Sequence, residues 1–304
     1  MFAMSTAWNS YRHRNVRLML EEILELGIDR VELDFNLKKR SVTDISGLAS
    51  GGMIKVVSVH NFCPVPENIK TKKVSPDHYS MASTDETERK KSVQHTRQTI
   101  ETAHSLGASA VVVHAGRLNI SDETRKLAKV IGNVKEAQRM LAAMRIKRKA
   151  ELEKGHLEAL LKSIGELSRL AKQYDVKIGL ENRFYFREMP SVEEFETIFE
   201  RYGRDSNIGY WHDTGHARVF ENLGITRPME YLDRFADRLI GMHLHDIKNV
   251  LDDHQAPLSG YIDFGAFRPY MKKDTLKVLE PHYQATAPEI KKGLEHLKKV
   301  FAEG

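Results

Sequence analysis

The chain has 304 residues, 41% hydrophobic and 29% charged, which suits a folded protein of one large α/β barrel or two ordinary domains. No apolar run approaches the roughly 20 residues that span a bilayer, and the opening MFAMSTAWNSYRHRN lacks the basic-then-apolar order of a secretory signal. Cys63 is the only cysteine, which excludes an internal disulfide or thiolate zinc cage; the formal charge of +5 is too small to choose between phosphorylated substrates and nucleic acid, and the expectation is a cytoplasmic protein.

In chain order, β-rich runs fall at 2–7 (FAMSTA), 30–35 (RVELDF), 54–60 (IKVVSVH) and 109–115 (SAVVVHA). Four more follow at 177–182 (KIGLEN), 207–213 (NIGYWHD), 239–246 (LIGMHLHD) and 276–281 (LKVLEP). Between them, stretches such as 16–27 and 191–203 place apolar residues three and four apart and end on glycine, and 288–301 makes a closing amphipathic helix. Alternating strands and helices predict parallel pairing with right-handed crossovers. About eight such units in this length predict a (β/α)8 TIM barrel with its active site at the C-terminal strand ends. A doubly wound sheet usually carries a glycine-rich turn after its first strand, and STAWNS is not one.

Residues 121–174 break the rhythm with about twice the usual connection, all helix-forming and heavily charged. They predict two helices or one long bent helix extending beyond the barrel wall. A solvated face is the ordinary explanation for the basic residues, and a subunit contact or nucleic-acid surface is the alternative. With no linker rich in Pro, Gly or Ser, residues 1–304 are expected to form a single domain.

Metal-capable side chains recur at the predicted strand ends. His60 ends the third strand, His114 the fourth, Glu181 the fifth, Asp213 the sixth, His243 the seventh and Glu280 the eighth. His216 follows in HDTGHA, while Asp252 and His254 lie in the loop after the seventh strand. A barrel brings all these ends to one rim. Carboxylates and imidazoles without thiolate suit zinc, manganese, magnesium or cobalt. Glu181, Asp213, His243 and Glu280 would hold one ion, His60 and His114 a second bridged by Glu181, and His216, Asp252 and His254 a third.

These residues, with the motifs VELDF, SVH, VVVHAG, GLEN, HDTGHA, MHLHDIK, DDH, IDF and LEP in this order over nearly the whole chain, resemble the xylose isomerase-like TIM-barrel superfamily. That superfamily joins sugar and sugar-phosphate isomerases and epimerases to the apurinic endonuclease IV family. For the isomerases, the resemblance implies one metal on Glu181, Asp213, His243 and Glu280, and for the ketose 3-epimerases, Glu181 and Glu280 as acid and base. For the endonuclease it implies three zinc ions on all nine residues. The chain departs from both patterns. LSGYIDF keeps only Gly260 of a glycine pair, HAGRL lacks the proline- and serine-bearing turn of the endonuclease, and NLKKRSVTDIS is short for a loop that penetrates DNA. The full ligand set and the basic loop at 68–76 lean the other way.

The expected function is a metal-dependent sugar or sugar-phosphate isomerase or epimerase, with one to three divalent ions and a small-molecule partner. A multi-zinc phosphodiesterase acting on DNA is the alternative, and a metal-dependent sugar sensor ranks below both. His245 either shuttles a hydroxyl proton or steadies Asp246 or a ligand. Lys248, Arg117 and Arg183 are the candidates for binding a phosphate. Trp8, Phe62, Phe184, Tyr185, Phe186 and Trp211 are candidates for an apolar wall, and Cys63 receives no role. A homo-oligomer is compatible with the sequence.

Overall fold

The computed structural model describes residues 1–67, 69 and 74–302, so most of the basic stretch at 68–76 lies outside the described residues. Its strands are β1 (Phe2–Ser5), β2 (Arg30–Leu33), β3 (Lys55–His60), β4 (Ala110–Val113), β5 (Gly116–Arg117) and β6 (Lys177–Glu181), followed by β7 (Glu188–Met189), β8 (Ile208–Asp213), β9 (Leu239–Leu244) and β10 (Leu276–Leu279). All but β5 and β7 form a closed parallel barrel in the order β1-β10-β9-β8-β6-β4-β3-β2. This is the predicted TIM barrel. The pair β5–β7 is an antiparallel ribbon above the rim, too short at two residues per strand to leave a periodic signal.

The helices are α1 (Val16–Leu24), α2 (Lys39–Ser50), α3 (Glu86–Ser105), α4 (Thr124–Val130) and α5 (Val134–Leu152). They continue with α6 (His156–Gln173), α7 (Val192–Arg201), α8 (Thr214–Asn222), α9 (Glu230–Phe235) and α10 (Ala287–Ala302). Their starts follow local chemistry: Asn15 caps α1, Asp85 caps α3, and Ser191 with Glu194 forms a reciprocal capping box on α7. No helix among the described residues is long and apolar enough to cross a membrane.

The long connection holds three helices rather than the expected two or one. The last of them, α6, packs on α3 as an ordinary crossover helix, so the surplus is α4 and α5. Arg148 of α5 ties that surplus down: it is buried, donates to the Phe186 carbonyl at 2.7 Å and pairs with Glu194 at 2.6 Å.

Inside the barrel, Ala3, Val57, Ala110, Val112, Trp211 and Val278 form an apolar floor separate from the main core. The Trp211 ring occupies the space beside two neighbouring strands. A Cβ added at Gly241 would lie 2.5 Å from the ring and one at Gly179 2.9 Å, so these positions are glycine because the indole needs their room. Trp211 therefore belongs beneath the site and not in a substrate-facing wall.

Candidate metal centre

The strand ends meet as the sequence predicts. His243 Nδ1 lies 2.7 Å from Glu181 Oε1, 3.0 Å from Glu280 Oε2 and 3.7 Å from Asp213 Oδ2, all buried. His114 Nε2 lies 2.7 Å from Glu181 Oε2, and His60 stands beside it with ring centroids 4.9 Å apart. His216 Nε2 and His254 Nε2 each lie 3.6 Å from Asp253 Oδ2. Each of three sets offers ligand atoms within 4.8 Å of one another: Glu181–Asp213–His243–Glu280, His60–His114–Glu181 and His216–Asp253–His254.

The third set corrects the sequence reading. Asp252 is exposed; its carboxylate accepts from the Gln255 side chain and its carbonyl from the Lys248 N–H, while Asp253 turns inward. A DDH string offers two adjacent carboxylates, and the turn that puts His254 at φ +52° decides between them.

Each ligand-type histidine has its other nitrogen committed. His60 Nδ1 bonds the Asn61 carbonyl at 3.0 Å, His114 Nδ1 the Asp77 carboxylate at 3.0 Å, His216 Nδ1 the Asn182 carbonyl at 3.1 Å and His254 Nδ1 the Glu280 carbonyl at 3.0 Å. His243 is turned the other way, with Nε2 on Glu32 at 2.9 Å. Such partners fix the tautomer and aim the remaining nitrogen at a metal. The oxygen- and nitrogen-rich donor set, buried and thus oriented, fits a divalent ion.

His245 differs. Its Nδ1 accepts the His254 backbone N–H at 2.9 Å, so Nε2 carries the proton and donates to both Asp213 oxygens at 2.9 Å. Asp213, His245, His254 and Glu280 are also close enough to surround an ion, and both Asp213 oxygens are held by His245 Nε2. Asp213 is doubly placed: it ends β8 and caps α8, accepting the His216 N–H at 2.7 Å. Asn182 pins it from the side, accepting the Asp213 N–H at 2.8 Å and donating to its carbonyl at 3.0 Å.

Electrostatics follow from burying this many carboxylates together. Burial pushes the Glu280 carboxyl up, His243 opposes, and the carboxylates of Glu32, Glu181 and Asp213 add to the rise, to about 8. Burial and the Arg183 cation lower the His114 pKa, yet Asp77 and Glu181 outweigh them and raise it to about 9. His243 goes the same way: burial works against its charge, and Glu280 and Glu32 carry it well above the ordinary value. Burial holds His60 down to about 4. Without an ion, protons on His243 and His114 balance the carboxylates; a metal requires those nitrogens deprotonated.

Of the expected phosphate binders, Arg183 and Arg117 border this centre and Lys248 does not. Arg183 is buried and pairs with Glu181 at 2.7 Å, Asp77 at 3.3 Å and Glu188 at 3.5 Å, so it steadies Glu181. Arg117 reaches the Asp77 carbonyl beside His114. Lys248 is exposed, lining an outer-surface hollow with Asp252 and Glu289. Among the aromatics, Phe184 packs 5.9 Å from the His216 ring, and Tyr185 with Phe184 carries the Arg125 guanidinium at 5.8 and 5.6 Å. Trp8 and Phe62 are buried, and Phe186 stacks under Arg148 near the insertion. Burial raises the Cys63 thiol well above its usual range, leaving it a poor nucleophile.

Several residues escaped the sequence reading. Glu32 of VELDF is the penultimate residue of β2, as His243 is of β9, so a signal existed, whereas Asp77, outside any strand or helix, gave none. Arg125 sits in the surplus helix α4. His282 stacks on His254 with centroids 3.6 Å apart, two residues past Glu280. Asp246 accepts four backbone N–H groups, from Ile247, Leu258, Gly260 and Ile262, and so shapes the loop that carries Asp253 and His254. A Cβ on Gly260 would lie 2.1 Å from the Ile247 carbonyl oxygen, which is why this glycine is kept.

A closed β/α barrel with buried carboxylates and oriented imidazoles at its C-terminal rim defines a class of metal-site TIM barrels. The chain belongs to the xylose isomerase-like TIM barrel family, whose model matches residues 20–300. An uncharacterised protein of Sinorhizobium fredii is 26% identical over 218 residues, 72% of this chain and 58% of that one, so the chain spans little more than half that relative's length. An uncharacterised protein of Methanocaldococcus jannaschii is 25% identical over 268 residues, covering 85% of this chain and 83% of the relative. In fold the chain is similar to a D-tagatose 3-epimerase-like protein (TM-score 0.69, 20% identity, 99% and 98% of the two chains covered). It is also similar to the 3-keto-D-glucoside 4-epimerase of E. coli (TM-score 0.66, 15% identity, 98% of each chain) and to a zinc-bound IolI protein (TM-score 0.66, 18% identity, 99% and 98%).

Proposed function

We propose that the protein is a divalent-metal-dependent isomerase or epimerase of a sugar or sugar phosphate. The observation that carries this reading is the meeting of two glutamates from different strands at one histidine nitrogen, Glu181 at 2.7 Å and Glu280 at 3.0 Å from His243 Nδ1. Glu181, Asp213, His243 and Glu280 would hold the primary ion, with His60, His114, His216, Asp253 and His254 available for further ions. A bound divalent ion supplies Lewis acidity that polarises a carbonyl and its neighbouring hydroxyl. Glu181, which burial pushes toward the neutral form and His114 and His243 hold ionised, is the base that removes the carbon-bound proton. Glu280, whose other side-chain neighbours are Ser5 at 3.5 Å and His254 at 3.9 Å, is the acid that returns one. His245 is a positioning residue that holds Asp213. The zinc-bound and epimerase structures of this fold support the reading.

The test is to incubate the metal-loaded protein with a panel of ketoses and ketose phosphates in deuterated water and follow both product and label. We expect a new sugar bearing deuterium at the reacting carbon, lost in Glu280→Gln; isomerisation without label would indicate a hydride shift instead. The third ligand set favours a second reading, a multi-zinc phosphodiesterase. Metal-dependent nicking of an abasic duplex, absent from Glu280→Gln and unaccompanied by sugar turnover, would replace the first reading with the second.

A further inference from the structure

The surplus helices hold the net charge of the chain. Residues 121–155 carry ten Lys and Arg against five Asp and Glu, which matches the formal +5 of the whole molecule, so the other residues balance. The carboxylate-rich centre therefore has a positive field on the side of α4 and α5, and such a field draws anions.

Arg125 of α4 is where this surplus meets the rim. Its guanidinium lies 5.6 Å from the Phe184 ring and 5.8 Å from the Tyr185 ring, and donates to the Tyr185 hydroxyl at 3.3 Å. Phe184 packs edge-to-face on His216 with centroids 5.9 Å apart, so a single ring connects Arg125 to the third ligand set. That set is a partly open side of the centre: the Asp253 and His254 side chains are 16% and 13% exposed, whereas Asp213 and His243 are wholly buried. The Tyr185 bond does most to raise the Arg125 pKa, partial burial opposes it, and the fields of Asp122 and Asp253 add to the rise.

Other cations around the rim already face carboxylates. Arg183 pairs with Glu181, Arg117 lies 3.8 Å from Glu88, and Arg12 meets Glu22 at 2.6 Å. Arg125 is exposed and forms no ion pair among the described residues. The two rings fix its plane, while the Tyr185 hydroxyl takes one N–H donor and leaves the rest of the fork for a bidentate anion.

We infer that Arg125 is a specificity-determining residue of the metal centre, which receives an anionic group, phosphate or carboxylate, at the far end of a ketose chain. The carbonyl end of that sugar faces the primary ligand set, its chain passes His216 and Phe184, and its terminal oxygens take the free N–H groups of the guanidinium. Resting on the isomerase or epimerase reading above, this role narrows the substrate to an acidic sugar.

The test is calorimetric titration of the manganese-loaded full-length chain with D-fructose, D-fructose 6-phosphate and D-fructuronate, which share a skeleton, and with D-ribulose and D-ribulose 5-phosphate. At least one anionic ketose should bind about 10–100-fold tighter than its neutral parent, as for a hydrogen bond to a charged group. Which of phosphate and carboxylate binds tighter identifies the group. Arg125→Ala should erase the advantage and leave metal content and affinity for the neutral parent unchanged. Arg125→Lys, which keeps the charge without the fork, should retain part of it. No tighter binding of any anionic ketose, or an advantage that survives Arg125→Ala at native metal content, overturns the role. Calorimetry reads binding without turnover, so the two failures separate. Deuterium exchange into neutral ketoses with no anionic preference overturns the role of Arg125 and leaves the isomerase reading. A preference lost in Arg125→Ala, with no exchange into any sugar, overturns the isomerase reading and leaves Arg125 as the anion anchor.

Discussion

The floor and the rim of the barrel come from the same strands, two residues apart. Ala3, Val112, Trp211 and Val278 lie in the floor, and Ser5, His114, Asp213 and Glu280 follow each of them by two positions. Strand side chains alternate faces, so residues i and i+2 point to the same interior, and one step along the chain exchanges a dry environment for a charged one. The floor is held by non-directional burial. The rim consists of buried charges that are costly unless paired, and its hydrogen bonds with Glu32, Asp77, Asn182 and His245 hold each group in one orientation. The difference separates two jobs: the floor keeps the barrel closed, and the rim keeps ligands aimed. Mutations in one should leave the other intact.

The largest effect should come from the rim. Glu181→Gln should lower turnover by about 10²–10⁴-fold, as for loss of a general base, in a chain that still folds, with its denaturant midpoint lowered because Arg183 and His114 lose a buried partner. Activity retained in a folded variant would remove Glu181 from the chemistry. In the floor, Trp211→Ala should cost about 3–5 kcal/mol of stability by opening a cavity between Gly179 and Gly241, read by urea unfolding. If the loss were below about 1 kcal/mol, the floor would not be what closes the barrel.

How much of this was legible follows from the same contrast. The eight barrel strands announced themselves because each is an apolar run with a polar side chain at or beside its end. The candidate ligands were visible because ordinary cores do not end strand after strand on His, Asp or Glu. What stayed hidden depended on turns and partners. Asp252 and Asp253 differ only in which way the loop built on Asp246 turns them. Arg183 read as a candidate for binding a phosphate because nothing in the sequence shows Asp77 and Glu188 beside it. Trp211 read as a wall because only the packed structure shows the two glycines that make room for it.

Outside both regions, His212 of β8 is buried with Nδ1 on the Tyr210 hydroxyl at 2.6 Å and Nε2 unpaired, and burial lowers its pKa to about 3. The unfolded chain binds this proton below the ordinary value of 6.5, and the folded chain only near 3, so stability present above pH 6.5 drains as pH falls. The contribution is about 1.4 kcal/mol per pH unit in that window, measured as the fall in unfolding free energy between pH 6.5 and 4.5. His212→Gln should flatten the slope; an unchanged slope would assign it to other groups.

A smaller effect sharpens the role of the partners. Glu32→Gln keeps a hydrogen-bonding side chain on His243 but removes its charge, and should weaken metal binding about 10–100-fold without emptying the site. A variant with native affinity would make Glu32 a passive neighbour.

The most direct test of the rim as a metal centre is elemental analysis of protein dialysed against zinc or manganese and then against metal-free buffer, for the native chain and for Asp213→Asn. The native chain should retain at least about one equivalent and release protons as it loads at pH 7.5, since His243, held protonated well above the ordinary value by Glu280 and Glu32, gives up its proton. Asp213→Asn should retain far less. No retained metal in the native chain, or equal retention in both, would contradict the account.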